Sequence, residues 1–249
     1  MKALALIFAL LAIPATAQET VVAGLSRDAI EITTNFDGSE ILIFGAVSRD
    51  SPPPDGDPLE VIITVEGPDQ PVTVRRKDRR FGIWINTDMV AVDSAPTFYA
   101  VSTTGPLDQV LTQTEDLRHS ISIPRAIRAV GAEVSDTETF TAALIRIREA
   151  GNLYQLNEGA VTLRDATLFD TSIQLPANLI EGEYLTRIFL TRGGEIVGAY
   201  SRDISVRKVG LERMIYNLAH DRPLIYGILS LIIAISAGWL ASAVFRYIR

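Results

Sequence analysis

The sequence predicts a mainly β protein of the α+β class, a β-sandwich region with one or two short helices followed by one C-terminal transmembrane helix. Three observations support this prediction. Short apolar runs alternate with turn sequences through most of the chain, an uncharged stretch occupies residues 223–245, and cysteine is absent. Without disulfides the fold must rest on its apolar core.

The N-terminal β-sandwich region, residues 18–104, contains the clearest strand patterns. Strands are predicted at residues 30–36, 41–47, 59–66, 71–76, 81–86, 89–92 and 98–102. Asp37-Gly38 is a tight-turn sequence and predicts a hairpin between the first two strands. Apolar and polar side chains alternate in residues 59–66, which predicts a half-buried strand with one solvated face. Short strands with frequent turns are typical of a β-sandwich.

A helix-containing second β region is predicted for residues 105–205. Ser135 and Glu138 have the spacing of an S-x-x-E capping box, and Phe140, Leu144 and Ile147 then recur on one helical face. Further strands are predicted at residues 154–163, 171–175, 183–190 and 195–200.

Two features near the end of this region refine the predicted fold. Gly193-Gly194 lies between two apolar runs and predicts a hairpin turn, because no strand-to-helix context for a phosphate loop follows it. Gly182-Glu183-Tyr184 resembles the step at which immunoglobulin-like sandwiches place a tyrosine whose hydroxyl bonds back to the chain. The predicted fold is therefore an immunoglobulin-like β-sandwich.

Residues 1–17 have the composition of a secretory signal peptide. Lys2 supplies a positive start, residues 3–13 are apolar, and Ala15 and Ala17 form the Ala-x-Ala pattern of a cleavage site. The apolar run is too short to cross a bilayer. We expect cleavage after Ala17 and export of the residues that follow.

Residues 223–245 are long enough to form a transmembrane helix. At about 1.5 Å per residue they would extend ~34 Å, against about 30 Å of hydrocarbon. Tyr226 and Tyr247 lie near the two ends, as interfacial aromatic residues do. Because the signal peptide exports the preceding residues, we expect residues 246–249 to form a cytoplasmic tail. A single-pass protein of a bacterial inner membrane, with a periplasmic N-terminal domain, fits this arrangement.

Small residues recur along one side of this helix. Ser230, Ala234, Gly238 and Ser242 are spaced by four and share a face. Such a stripe lets another transmembrane helix approach closely. We expect it to pack against a second copy of the chain or a multi-pass permease, although small residues are also common in such helices without that role.

A juxtamembrane segment, residues 206–222, precedes the predicted span. Leu211, Met214, Ile215 and Leu218 fall on one helical face. This pattern predicts a short amphipathic helix at the membrane surface. A helical extension of the anchor fits the same pattern equally well.

Two groups in the β region are candidate binding surfaces. Trp84 with Asn86, and Phe98 with Tyr99, would line a ligand or partner surface, although core packing explains aromatic strand residues as well. Residues 75–80 contain five cations. They would bind anionic headgroups or an oxyanion, unless they form an ordinary charged turn.

The sequence offers little material for metal binding or pH sensing. Asp50, Asp55, Asp57 and Glu60 surround a proline-rich loop, but they lack the EF-hand spacing, and a solvated acidic turn explains them better than a calcium site. His220 lies near the predicted span. A polar residue at an interface needs no role in pH sensing.

Composition argues against several classes of function. The absence of cysteine removes thiolate nucleophiles, thiolate metal sites and iron–sulfur clusters. The two histidines, His119 and His220, leave little for a Ser-His-Asp triad or a histidine metal site. The net charge of −7 argues against a nucleic-acid partner. We expect no enzyme activity, no cofactor and no bound metal.

Several segments resemble the uncharacterised transmembrane protein family of alphaproteobacteria. They are Asn35-Phe36, Ile43-Phe44-Gly45-Ala46, Phe81-Gly82-Ile83-Trp84-Ile85-Asn86, Pro96-Thr97-Phe98-Tyr99-Ala100-Val101, Lys208-Val209-Gly210-Leu211-Glu212 and Pro223-Leu224-Ile225-Tyr226-Gly227. The resemblance runs from about Val22 to the C-terminus. It implies an inner-membrane protein with a periplasmic domain and carries over no catalytic residue. Members of the family are often encoded beside permeases of the sulfite- or anion-exporter type, which implies an accessory subunit.

These observations favour a non-enzymatic accessory or interaction subunit of a membrane complex, with an anion or sulfite exporter as the implied partner. That function explains the anchor, the small-residue stripe and the shortage of catalytic groups together. The alternative is a periplasmic module that binds or senses a ligand on the sandwich.

Overall fold

The computed structural model describes residues 19–27, 29–33, 36–49, 56–129 and 137–248. The predicted signal peptide lies outside these residues, as do Ser135 of the predicted capping box and Asp50 and Asp55 of the acidic loop. The described residues form two compact units. The first lies within residues 19–30 and 37–206, and the second within 31–36 and 207–248.

Strands account for most of the chain before the C-terminal helices. They are β1 (Glu19–Leu25), β2 (Ala29–Ile32), β3 (Ser39–Arg49), β4 (Leu59–Glu66), β5 (Asp69–Arg80), β6 (Ile83–Pro96), β7 (Tyr99–Thr103), β8 (Tyr154–Asn157), β9 (Thr162–Arg164), β10 (Leu168–Leu175), β11 (Gly182–Arg192) and β12 (Glu195–Lys208). Between β7 and β8 in sequence come α1 (Leu107–Val110), α2 (Gln113–His119), α3 (Ile123–Ala126) and α4 (Thr137–Ala150). The predicted mainly β class is confirmed.

Two sheets form the sandwich. The smaller has the strand order β1-β3-β10-β9, and the larger has the order β2-β12-β11-β4-β7-β8, in which β7 and β8 are parallel. In β3, Ile41 and Ile43 are buried while Leu42 and Phe44 are exposed. One face of the smaller sheet therefore lies on the core and the other faces outward.

β4 lies inside the larger sheet and is buried on both faces. Ile62 and Thr64 are as inaccessible as Val61 and Ile63, which point the other way. The prediction of one solvated face for residues 59–66 is therefore wrong. The reason is tertiary, because side chains from the helical segment cover that face. They include Val110, Leu111, Ile121, Ile123, Ile127, Phe140 and Leu144.

α4 contributes only part of its predicted apolar face to this core. Phe140 and Leu144 are buried as predicted, whereas Ile147 is 61% exposed. The helix ends at Ala150, and Gly151 follows it.

Strand pairing near the start of the chain differs from the predicted hairpin across Asp37-Gly38. β3 pairs with β1 and β10, while β2 lies beside β12 in the other sheet. The hairpin prediction is wrong because the chain crosses between sheets at this point. A turn sequence indicates a change of direction but does not choose the strand's partner.

Strands from the two predicted regions, residues 18–104 and 105–205, pair with one another. β3 pairs with β10, β4 with β11, and β7 with β8. The two regions therefore share both sheets of the sandwich.

Two local predictions near the end of the β structure are confirmed. β11 and β12 form the hairpin across Gly193 and Gly194, whose φ angles of 58° and 80° suit a tight two-residue turn. The Tyr184 hydroxyl donates to the Ile180 carbonyl oxygen at 2.9 Å. This is the bond expected of a tyrosine corner.

The second unit contains α5 (Leu211–Asp221) and α6 (Pro223–Ile248). Arg222 separates the two helices with a non-helical backbone, φ −137° and ψ 64°. Within the described part of the chain, α6 is the one helix long and apolar enough to cross a membrane. Its candidate span is Pro223–Val244, with a mean hydropathy of 2.1.

Candidate functional site

Among the strands that the structure describes, β5 and β6 pair with each other and with no third strand, and they form a two-stranded sheet, the hairpin arm (residues 69–96). At its base Val74, Val90 and Val92 are buried in the core under the helices. At its other end, the arm end (residues 77–86), every residue is exposed on both faces of the hairpin. The strands predicted at 71–76, 81–86 and 89–92 are thus parts of one long hairpin.

The base of the arm is fastened to its surroundings. The backbones of Ser94 and Arg128 exchange two hydrogen bonds, at 2.9 and 3.2 Å. The Tyr154 hydroxyl donates to the last carbonyl oxygen of β6 at 2.8 Å. The Arg76 guanidinium carbon lies 4.6 Å from the centre of the Phe140 ring, within cation–π range. These contacts hold the base in place and leave the arm end to solvent.

The turn of the arm contains a phenylalanine at a position with a positive φ angle. Arg80 pairs with Ile83 across a two-residue turn, in which Phe81 has φ 51° and Gly82 has φ 86°. Turns with two positive φ angles favour asparagine, aspartate and glycine, because a bulky side chain is strained in the left-handed region. Phe81 is nevertheless present there and fully exposed. An observed strained residue of this kind points to a role for its side chain.

Both faces of the arm end carry the same kinds of side chain. Residues paired across antiparallel strands lie on the same face. One face carries the pairs Arg79–Trp84 and Lys77–Asn86, and the other carries Arg80–Ile83 and Asp78–Ile85. Trp84 and Ile83, one on each face, are 68% and 65% exposed. Each face thus has an apolar side chain close to the turn with an arginine beside it.

The arm is positively charged on a negatively charged chain. Residues 75–88 contain five cations and two aspartates, a net charge of +3, while the whole chain has −7. Two ion pairs lie within this stretch, Arg76–Asp88 at 3.8 Å and Arg80–Asp78 at 3.4 Å. Both are exposed, and exposed pairs of this kind contribute little stability.

The four residues predicted to form a ligand or partner surface lie in two different places. Trp84 and Asn86 share a face of the arm end, beside the predicted cation cluster. Phe98 and Tyr99 are 0% exposed, and the Phe98 ring lies 6.2 Å from that of Tyr184. The alternative of core packing describes Phe98 and Tyr99, whereas Trp84 and Asn86 lie on an accessible surface.

Tyr99 belongs to a buried polar network that the sequence analysis missed. Its hydroxyl donates to the Ile121 carbonyl oxygen at 2.8 Å and accepts from Arg187 Nη2 at 3.1 Å. Arg187 Nη1 donates to the His119 carbonyl oxygen at 2.7 Å, and Glu66 lies 3.5 Å from Nη2. Burial raises the pKa of both Tyr99 and Glu66. The network ties the larger sheet to the turn after α2.

Glu19 forms a second buried cluster without a sequence signal. Its Oε1 accepts from Arg49 Nε at 2.6 Å and from Arg192 Nη2 at 2.9 Å. Arg192 also donates to the Asp57 carbonyl oxygen at 2.7 Å. These bonds join β1 to β3 and β11, so the charged groups serve the fold.

The described part of the acidic loop is engaged in structural contacts. Glu60 accepts a hydrogen bond from the Thr104 hydroxyl. Among the described residues, no group of three or more histidine, aspartate or glutamate side chains is arranged to hold a metal ion.

The small-residue stripe lies exposed along α6. Ser230, Ala234, Gly238 and Ser242 are all accessible, and a side chain added at Gly238 would meet no atom within 4 Å. The Ser230 hydroxyl donates to the Tyr226 carbonyl oxygen at 2.8 Å, within the helix. The whole candidate span is exposed to the same degree, so packing of another helix on the stripe stays a prediction.

His220 has a local partner in α5. Its ring stacks on that of Tyr216 with 4.0 Å between centroids, and its Nδ1 lies 2.9 Å from the Tyr216 carbonyl oxygen. These contacts within one helix account for its position.

The fold and the C-terminal helix define a β-rich membrane protein with one C-terminal candidate span among the described residues. The chain belongs to the family described as "Putative transmembrane protein (Alph_Pro_TM)", which matches residues 20–247. The resemblance seen in the sequence is therefore confirmed.

Comparison with other proteins adds little. No curated protein matches the chain. Among solved structures, that of Spo0M, a sporulation control protein from Bacillus subtilis, is similar with a TM-score of 0.29 and 11% identity. The match covers 83% of this chain and 56% of the Spo0M chain. A likeness this low carries no argument about fold or function.

Proposed function

We propose that this protein is a non-enzymatic accessory subunit of a membrane complex, exported to the periplasm and held at a bacterial inner membrane by α6. The arm end carries this proposal. It exposes Phe81, Ile83 and Trp84 together at the end of a hairpin whose base is firmly packed. Large apolar side chains grouped on an exposed element are typical of surfaces that bind a partner.

The buried charged groups support a role without catalysis. Arg187, through Nη1 and Nη2, and Glu19, through Oε1, join strands and turns of the sandwich. Such bonds hold backbone segments together, and they leave the exposed apolar and basic arm as the feature that the fold does not require.

The accessible stripe on α6 supports a partner inside the membrane. Small residues allow close helix packing where no hydrophobic driving force exists between helices. A multi-pass permease of the anion- or sulfite-exporter type is the partner that the family resemblance implies.

A pull-down of the tagged full chain in mild detergent tests this function. We expect a multi-pass permease to co-purify with the wild type and to be lost from Gly238→Leu, whose new side chain blocks the stripe. Ser236→Leu is the matched control, because it adds a leucine on the opposite face of the same helix. Recovery of the protein alone, from the wild type as well as the variants, would contradict the accessory role.

A second function, ligand binding by the first unit, is favoured by an open cleft of about 1000 Å³ among α1 to α4. Leu107, Leu111, Arg125 and Glu138 are among the residues that line it. Gly238→Leu separates the two functions, because it would abolish packing of α6 on a partner and leave this cleft unchanged.

A further inference from the structure

We infer that the arm end inserts into the headgroup layer of an anionic membrane. This inference rests on the proposed function and names the immediate partner of the arm on which that function depends. It is based on the order of side chains along the arm, on the apolar and arginine side chains that both faces carry, and on the charge of the arm relative to the rest of the chain.

The order of side chains matches the depth profile of a bilayer surface. Phe81 lies at the turn, with Ile83 and Trp84 next to it. Arg79 and Arg80 are one or two residues behind the turn, about 3–7 Å along the strand at ~3.3 Å per residue. Apolar groups of peripheral proteins enter the headgroup boundary by about 5–10 Å. The two arginines would therefore lie among lipid phosphates when Phe81 reaches the acyl chains.

The similarity of the two faces favours lipid over a protein pocket. A protein groove contacts one face of a hairpin, so the other face would be expected to be polar. Here Trp84 with Arg79 and Ile83 with Arg80 lie on opposite faces and are both exposed. A lipid layer surrounds an inserted element on all sides, and aromatic residues are favoured at its interface.

The charge of the arm selects an anionic surface. Residues 75–88 of the arm carry +3, so the residues outside this stretch carry −10, from −7 minus +3. An anionic membrane attracts the first and repels the second. The arm is therefore the part of the first unit that such a surface draws closest.

The anchor keeps the chain at a membrane surface. Because α6 is a membrane anchor, lipid headgroups are present at a high effective concentration, and weak insertion is enough to be populated. Phe81 at a strained turn position is then explained, since insertion requires an apolar side chain at the outermost point of the arm.

The fluorescence of Trp84 tests the inference in the full chain. The chain has two tryptophans, Trp84 and Trp239, so Trp239→Phe leaves Trp84 as the reporter. We expect its emission to shift to shorter wavelength in nanodiscs containing phosphatidylglycerol, and to be quenched there by lipids brominated on the acyl chains. The shift should be lost in phosphatidylcholine nanodiscs and in detergent.

Two matched triple variants test the role of the cations. Replacing Arg75, Lys77 and Arg79 by glutamine should abolish the shift in phosphatidylglycerol nanodiscs. The control replaces three exposed cations outside the arm, Arg125, Arg128 and Arg146, by glutamine and changes the net charge by the same amount. It should keep the shift, because the cations of the arm remain. The inference would be overturned if Trp84 of the Trp239→Phe protein emitted at the same wavelength in phosphatidylglycerol nanodiscs, in phosphatidylcholine nanodiscs and in detergent, without quenching by brominated lipid.

A photo-crosslinking amino acid at position 84 separates this inference from the proposed function. Adducts with lipid in cells support the inference. Adducts with a protein alone overturn it and leave the accessory function standing. No adduct of either kind contradicts both, whereas lipid adducts without any co-purifying permease contradict the accessory function only.

Discussion

The base and the end of the hairpin arm belong to the same pair of strands and have opposite relations to the rest of the molecule. At the base, Val74, Val90 and Val92 are at most 8% exposed. At the end, Phe81 and Trp84 are exposed although they are larger. Strand pairing alone therefore does not explain where apolar residues occur. Burial explains those at the base, and the proposed insertion into lipid would explain those at the end.

The largest contrast is expected between phenylalanine-to-alanine substitutions in α4, beside the base of the arm, and at the arm end. Phe140→Ala should lower the free energy of unfolding by about 3–5 kcal/mol, because it leaves a cavity beside the base of the arm. Phe81→Ala should not lower it, since that side chain has no packing to lose. Thermal unfolding of the full chain in detergent, followed by circular dichroism, measures both. Equal destabilisation by the two variants would refute the comparison.

A smaller effect is expected from relieving the strained turn. Phe81→Gly should raise the free energy of unfolding by about 1 kcal/mol, because glycine accepts a positive φ that a phenylalanine resists. It should also weaken the lipid-dependent shift of Trp84. A variant that is more stable and yet bound less to lipid would show that Phe81 serves contact at the expense of stability.

Ile85→Gly is the control for this gain in stability. Ile85 lies in β6, and its φ is not among the positive values. A glycine there should lower the free energy of unfolding by about 0.5–1 kcal/mol. If both glycine variants stabilise the chain, strain at Phe81 is not the cause.

The smallest expected effect is a pH dependence of the free energy of unfolding, caused by Glu66 near the base of the arm. Glu66 lies at the end of β4, and burial raises its pKa above the usual 4.5, with Asp69 of β5 raising it further and Arg187 lowering it. The folded state therefore binds this proton more tightly than the unfolded state does. Its contribution to stability is present below pH 4.5 and is lost as pH rises through the higher folded pKa.

Glu66→Gln should remove that dependence. The free energy of unfolding of the variant relative to wild type should rise as pH increases from below 4.5 to neutrality, measured by denaturant titration at several pH values. Asp69→Asn should shift the same transition to lower pH, because a neighbouring negative charge is removed. A difference between Glu66→Gln and wild type that does not vary with pH would contradict the assignment.

Local patterns in the sequence were enough to predict several parts of the fold. The uncharged run of 223–245 predicts α6, since a membrane span needs only length and hydropathy. Gly193-Gly194 predicts its hairpin, and Tyr184 its corner bond, because each depends on a few neighbouring residues. For the candidate site, the cation cluster and Trp84 were both visible in the sequence.

Long-range contacts could not be predicted in this way. Trp84 and Tyr99 are both aromatic residues in strands, and nothing in their local sequence shows that the first is exposed and the second buried. Glu66, Tyr99 and Arg187 meet in one network although they are far apart in the chain. Such contacts leave no periodic pattern and no short motif in the sequence.

By itself, the sequence determined the membrane helix, the β-rich class, the turn at Gly193-Gly194 and the charge of the arm, because each follows from hydropathy, propensity or charge within a short stretch. The tertiary structure alone decided which strands pair, that β4 is covered on both faces, and that the apolar residues at the arm end are exposed. The physical reason is that burial depends on what the rest of the chain brings to each side of a strand.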